Sequence, residues 1–423
     1  MDKETLFQVF TSKELRKKIF IVLGMLIVVR LLATIPVPGV DILRLKSFLE
    51  SNQLFGLFNL FSGGSFSNFS IAMLGVGPYI TATIIMQLLT MIFPSFKEMY
   101  HEEGEAGRQK FNQYSRMLTV PLSILQGFGF LRLLQSQRII DALSPFDMVW
   151  NLLLIIAGSM ILMWLGELIT EQKIGNGVSL IIFGGIVAGA PQSAWQLLQT
   201  YDPRLLPTYI GFTVMALLVV IGVIFINEGE RKIPVSYAKQ VRGSKMYGGG
   251  STYLPLRLIQ AGVIPIIFAI SVLLFPQFIA QILTVFRIEW ASGLEDLVSR
   301  FYASKLVYNI VYFMLVVFFT YFYTAITFDP KEIAKNLQRF GGFVPGIRPG
   351  TSTAEFISKV VTRITLFGAL GLGFIAVLPN MVQAASGISA FSLGGTALLI
   401  VVSVAIETTK QLQSQVVMRE YEV

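Results

Sequence analysis

Histidines, cysteines and paired carboxylates carry most protein chemistry, and this 423-residue chain holds almost none of them. It has no cysteine, which excludes disulfides and thiolate metal sites. Its one histidine, His101, sits in the charged stretch MYHEEGE, too isolated to build a metal site or a proton relay. The spacings of zinc hydrolases (H-E-x-x-H), serine hydrolases (G-x-S-x-G) and P-loop nucleotide enzymes are missing, so no enzymatic activity and no cofactor is expected. Within apolar stretches the ionisable groups that stand out are Arg30, Glu167 and Glu407, the last two near the ends of their stretches, and none comes as an evident mid-membrane pair. That pattern suits snorkelling or helix-capping charges better than the paired mid-membrane groups of an ion or solute carrier. The segment LFSGGSFSNFS, 60–70, is of another kind. Gly63, Gly64 and four serines read as flexible linker, whereas Leu60, Phe61, Phe66 and Phe69 avoid water, so the segment is neither a clean loop nor a clean span.

The elements that must hold such a segment follow from composition. Apolar residues make up 54% of the chain and charged residues only 14%, the figures of a helical membrane protein. Runs long enough to cross about 30 Å of hydrocarbon predict ten spans, near 19–37, 71–92, 115–135, 148–170, 178–198, 208–227, 258–284, 305–327, 360–379 and 394–409. The first run contains Arg30 and lacks a small-residue cleavage site, so it is expected to stay as a span. With the N-terminus in the cytoplasm, 24 of the 33 Lys and Arg fall in inside segments, 8 outside and one, Arg30, in a span. The positive-inside rule therefore expects both termini in the cytoplasm.

The second span carries GVGPYI, 75–80, and the seventh carries GVIPII, 262–267. Five spans separate them, so the two copies of G-V-x-P-x-I must run in opposite directions, as in an inverted repeat of residues 1–200 and 201–423. Pro78 and Pro265 are expected to weaken or kink their helices. Two basic stretches, about 229–257 and 328–358, complete the pattern. The first holds Arg231, Lys232, Lys239, Arg242, Lys245 and Arg257 among tyrosines, and the second presents Arg348 between Pro345 and Pro349. Arginine on a rigid turn suits bidentate pairing with a carboxylate or phosphate, so these stretches are expected to dock a large acidic or RNA-containing partner. From the residues alone, a secondary transporter with inverted repeats remains the competing class.

Several longer stretches resemble the bacterial SecY family: IPVPGVD, LFNLFSGGSFSNFSIAMLGVGPYITATIIMQLLT, KIGNGVSLIIFGGIVAG, AGVIPIIFA, FVPGIRPG and LGGTALLIVV. The resemblance runs from the first span to the last. It implies an all-α, ten-helix clamshell of two inverted five-helix halves with a re-entrant plug helix near 54–67. It also implies a passive channel for unfolded secretory polypeptides in the bacterial cytoplasmic membrane, with release of apolar segments sideways into lipid. The plug would comprise Leu57, Phe58, Leu60, Phe61, Ser62, Gly63, Gly64, Ser65 and Phe66. The pore ring would be Val76, Ile80, Ile182, Ile267 and Ile400, an apolar waist that sheds water and resists ions. Gln87 and Gln260 would border the lateral gate, although the family's polar position on that helix falls on Ile259. Arg348 would engage the SecA ATPase, with Arg231, Lys239, Arg242 and Lys245 in the neighbouring loop, where a basic pair of relatives stands as Ser244 and Lys245. The other implied partners are SecE-type and SecG-type subunits, the ribosome, signal-sequence-bearing substrates and membrane lipid.

The absence of cysteine makes the topology directly measurable. Single cysteines at Ser244 and Thr351 should be labelled by an impermeant thiol reagent from the cytoplasmic side, and one at Ser292 from outside. Labelling at Ser244 from outside would overturn the ten-span arrangement.

Overall fold

The computed structural model describes residues 12–38, 44–45, 59, 62–136, 139–141, 143–199, 203, 206–237, 240–242, 245–247, 250–260, 262–285, 291–386 and 390–420. In chain order the elements are α1 (Lys13–Leu32), α2 (Gly77–Ile92), α3 (Pro94–His101), α4 (Gly104–Ser136), α5 (Pro145–Glu171), α6 (Gly177–Gln199) and α7 (Leu206–Glu228). Strands β1 (Glu230–Tyr237), β2 (Gln240–Arg242), β3 (Lys245–Tyr247) and β4 (Ser251–Arg257) follow. The chain continues with α8 (Ile264–Val285), α9 (Ala291–Ala303), α10 (Lys305–Thr327), α11 (Pro330–Arg339), β5 (Gly342–Phe343), α12 (Thr351–Ser386) and α13 (Ala390–Glu420). The protein is mostly helical.

Each of the ten expected spans overlaps one helix. Among the described residues five helices are long and apolar enough to cross a membrane: Gly104–Gln135, Pro145–Glu171, Tyr209–Glu228, Lys305–Arg339 and Thr351–Val382. The pair α2 and α3, bent by 114° at Phe93, makes a sixth if taken as one span, and Gly177–Pro191 and Ile264–Gln277 are shorter apolar helices. Local signals start these helices where the sequence allows. At α5, the Ser144 Oγ accepts from the Asp147 N–H at 3.2 Å and donates to its carboxylate at 2.7 Å, with Pro145 in the first turn.

The two helices that carry the G-V-x-P-x-I motif differ from expectation in the same way. Both begin six residues inside the expected span, at Gly77 rather than 71 and at Ile264 rather than 258. The prolines explain it: Pro78 and Pro265 are the second residues of α2 and α8, where the missing N–H would have had no helical partner. They start their helices and do not kink them, contrary to the expectation from sequence. Ahead of each proline a glycine takes up the left-handed region, Gly75 at φ +58° and Gly262 at φ +57°. The matching valine carbonyls then accept from the matching isoleucines, Ile80 N–H to Val76 at 3.0 Å and Ile267 N–H to Val263 at 3.3 Å. One short sequence thus encodes one local conformation twice.

Irregular backbone ahead of α2 is tolerated in an apolar setting because protein covers it. Ala72, Met73, Leu74 and Val76 are buried, and their turn is closed by Gly75 N–H to Ala72 and Gly77 N–H to Leu74. It is tied to the end of α1 by Val37 N–H to Phe69 at 2.8 Å and Ile71 N–H to Ile35 at 3.0 Å.

A small sheet modifies the all-helical expectation. β1 pairs antiparallel with β4 and, through Ser236 with Phe343 and Tyr237 with Gly342, also with β5. The two basic stretches are therefore one structure. Ile233, Leu256, Val344, Ile357 and Val361 form its apolar core, with Ile333 and Leu337 of α11 packed on it. Asp329 caps α11 by accepting from the Lys331 N–H at 2.8 Å.

The left-handed glycines give a test of this fold. Gly75→Ala should lower stability by about 1 to 2 kcal/mol, because a Cβ is disfavoured at positive φ. Gly24→Ala, in mid-α1 with nothing within 4 Å of the added carbon, should be neutral or slightly stabilising. Thermal denaturation in detergent, comparing both with the parent, measures the difference.

Candidate functional site

The expected ring residues come from four helices. Val76 is the N-cap of α2 and Ile80 lies in its first turn, Ile182 is in α6, Ile267 in α8 and Ile400 in α13. All five are buried, none more than 3% exposed, and all belong to one apolar cluster. β-Branched side chains suit this place: stiff at χ1, they hold a fixed outline and offer no polar group to water. That cluster also takes in Ile84, Ile266, Ile270, Leu399 and Val404, so the five are part of a larger core.

Of the expected plug, Leu57, Phe58, Leu60 and Phe61 lie outside the described residues. The rest is a knot of turns that satisfies its own polar groups. The Asn59 side-chain oxygen accepts from Ser67 N–H at 2.9 Å, and the Asn59 carbonyl accepts from Gly64 N–H at 2.8 Å and from the Ser62 hydroxyl at 3.0 Å. Ser62 Oγ in turn accepts from Phe66 N–H at 3.1 Å, while the Ser67 and Ser70 hydroxyls donate to the carbonyls of Gly64 and Ser65. The serines read from sequence as linker are thus structural. Phe66, fully buried, meets the Phe130 ring of α4 at 5.1 Å between centroids, and with Phe69 it anchors a second apolar cluster that includes Val37, Leu131 and Ile155.

Gly63 and Gly64, at φ +64° and +79°, bring the backbone against two neighbours. The Arg30 guanidinium donates from Nη1 to the Gly63 carbonyl at 2.8 Å. On α6, a Cβ built at Gly185 would fall 2.1 Å from Gly63 Cα, so the two backbones touch. Sequence reasoning treated Arg30 as a snorkelling charge and passed over Gly185. The signals were present as a lone arginine in an apolar run and as the Gly184-Gly185 pair in span 5, but neither names its partner. The other two ionisable groups also acquire neighbours. Glu167 of α5 accepts from Arg116 Nε of α4 at 2.7 Å, and Glu407 of α13 lies against Gly262, where an added Cβ would be 3.2 Å from its Oε2.

At the expected gate, α2 packs against α8. Gln87 on α2 has a buried side-chain oxygen with no hydrogen-bond partner among the described residues, and Gln260 donates to the Arg257 carbonyl at 3.4 Å ahead of α8. Ile259 is buried in the main cluster. Among the expected docking residues, Arg348 is exposed on a turn braced by Gly346 and Gly350 at positive φ, and its carbonyl accepts from the Thr353 hydroxyl at 2.9 Å. Arg231 is exposed on β1, and Arg242 and Lys245 are register partners across the β2–β3 hairpin. Lys239 lies outside the described residues.

Fold and site together define a multi-pass helical membrane protein in which two like-started helices meet at a buried aliphatic cluster beside a segment of turns. The SecY family model matches residues 70–409. Protein translocase subunit SecY of Mycobacterium bovis is 43% identical over 431 residues, covering 97% of this chain and 96% of that one. The chain belongs to the SecY family. Among solved structures, that of a protein conducting channel matches with a TM-score of 0.68 at 19% identity, over 94% of this chain and 92% of its own. Sec61 in the canine ribosome-channel complex matches with a TM-score of 0.64 at 18% identity, over the same shares.

Proposed function

We propose that this protein is a passive protein-conducting channel that carries unfolded secretory polypeptides across the bacterial cytoplasmic membrane. The observation that carries the reading is the convergence of Val76, Ile80, Ile182, Ile267 and Ile400 in one buried apolar cluster next to a re-entrant segment. A narrow apolar waist drains of water and so blocks ions, yet it gives no strong site to any one side chain of a passing polypeptide. Residues 54–67 act as the plug. The pathway lies between two inverted halves, 1–200 and 201–423, of five spans each, with both termini in the cytoplasm. Apolar segments of the substrate leave between α2 and α8, past Gln87 and Gln260, by partition into lipid.

The driving energy comes from outside the channel. We assign it to partners: the SecA ATPase, engaged through Arg348 and the basic residues Arg231, Lys239, Arg242 and Lys245, or the translating ribosome. Small subunits of the SecE and SecG type complete the complex. What favours this docking face is the β1–β5 pairing, which joins the two basic stretches in one body that a large partner can push against. Reconstitution into liposomes separates this reading from a secondary transporter. The channel should move an unfolded, signal-sequence-bearing chain when SecA and ATP are added, and should show no saturable solute flux.

Arg348→Glu should abolish SecA-dependent translocation at undiminished channel accumulation, because reversal of an exposed charge replaces attraction by repulsion and disturbs no core contact. Normal translocation by that variant, or loss of the protein, would remove the docking role.

Ile80→Asn combined with Ile267→Asn should raise resting ion conductance in planar bilayers, since amides give water a partner in the narrowest section. Deletion of residues 60–67 should enlarge the leak, as two barriers in series are then both weakened. A double variant as tight as the parent even without those residues would mean that the isoleucines only pack.

A further inference from the structure

We infer that Arg30 is the latch that holds the plug in the resting channel, with Gly185 as the stop it is drawn against. The inference rests on the reading above, in which this segment closes the pore. Arg30 stands in the last turn of α1, and its Nη1 donates to the Gly63 carbonyl at 2.8 Å. Among the described residues no carboxylate forms an ion pair with it. Its charge is met by the carbonyl of Gly63 and by the C-terminal end of its own helix, where a cation is favoured. A guanidinium that served only as an interfacial anchor would have no reason to seek a carbonyl 33 residues away on a re-entrant turn.

Gly63 also meets backbone. A Cβ at Gly185 would lie 2.1 Å from Gly63 Cα, 2.9 Å from its carbonyl carbon and 3.0 Å from its oxygen. A Cβ at Gly64 would approach Arg30 Nη1 at 3.5 Å, an ordinary contact. The turn is therefore held by a cation on α1 and set against bare backbone on α6, both acting on the main chain of one buried residue. A charge-assisted hydrogen bond in a poorly hydrated place is stronger than a neutral one. For the plug to leave, that bond must break and the carbonyl must find another donor. Arg30 accordingly sets how readily the channel opens, and hence how strong a signal sequence must be.

The test is a set of variants in the cysteine-free chain, reconstituted with its partner subunits: parent, Arg30→Met, Arg30→Lys, Gly185→Ala, deletion of 60–67, and Arg30→Met in the deletion. Readouts are resting conductance in planar bilayers and export of a substrate with a defective signal sequence. Loss of the bond should raise resting open probability about tenfold. Lysine, which still donates as a point charge, should recover most of the seal. Alanine suits the interior of α6 but pushes Gly63 away, so Gly185→Ala should leak without Arg30 being touched. In the deletion background Arg30→Met should add nothing, since its partner is gone. If Arg30→Met is as tight as the parent while the deletion leaks, the latch is wrong and the plug stands. If it adds its full leak to the deletion, Arg30 acts elsewhere and the latch is again wrong. A deletion that does not leak overturns the plug reading itself. Should Arg30→Met fail to accumulate, Arg30→Gln, which keeps a donor and loses the charge, takes its place, with a smaller leak expected and a parental seal overturning the claim.

Discussion

Non-helical backbone in a membrane must be satisfied by protein, and the architecture follows from that demand at the stretch before α2. Residues 62–76 leave helical geometry, and every neighbour answers a peptide group or an apolar face: Ile35 and Val37 by main-chain pairing, Asn59 and the serines by side-chain bonds, Phe130 by its ring, Arg30 by its charge. A plain span at this position would need none of these. The cost of keeping irregular backbone inside a membrane protein is a set of partners dedicated to it.

The two G-V-x-P-x-I motifs show how the same demand is met economically. A left-handed glycine turns the chain, the valine carbonyl receives the first helical bond, and proline starts the helix without wasting a donor. The isoleucine at the end of the motif is thereby fixed one turn from the helix start, at Ile80 and Ile267. Position along the helix is set by the motif itself and owes nothing to helix length. This lets α2 and α8, of different lengths, present equivalent residues to the same cluster.

Much of this was legible in the sequence. Apolar runs locate the helices because the bilayer imposes both length and composition, and a repeated six-residue motif reveals the paired helix starts. The role of the prolines was misread, since proline in an apolar run says only that a helix bends or begins; the glycine three residues earlier decides which. The small sheet was hidden because β1 and β4 alternate weakly and the second partner of β1, β5, is only two residues long and far along the chain, Tyr237 pairing with Gly342. Arg30 was visible as an anomaly but not as a contact, because a side chain bonded to a main-chain carbonyl leaves no complementary charge to search for. Gly185 was invisible for a related reason: its function lies in what it lacks.

That last contact bears on how such a protein can diverge. The resting segment is gripped at Gly63 by its carbonyl and its Cα, neither of which depends on the side chains around it. Selection on the fastening therefore falls on an arginine and two residues without a Cβ, alongside Asn59, Ser62, Ser67 and Ser70, whose side chains shape the turn. A fastening of this kind, made to the main chain, persists through exchanges among the apolar side chains that fill the space beside Phe130.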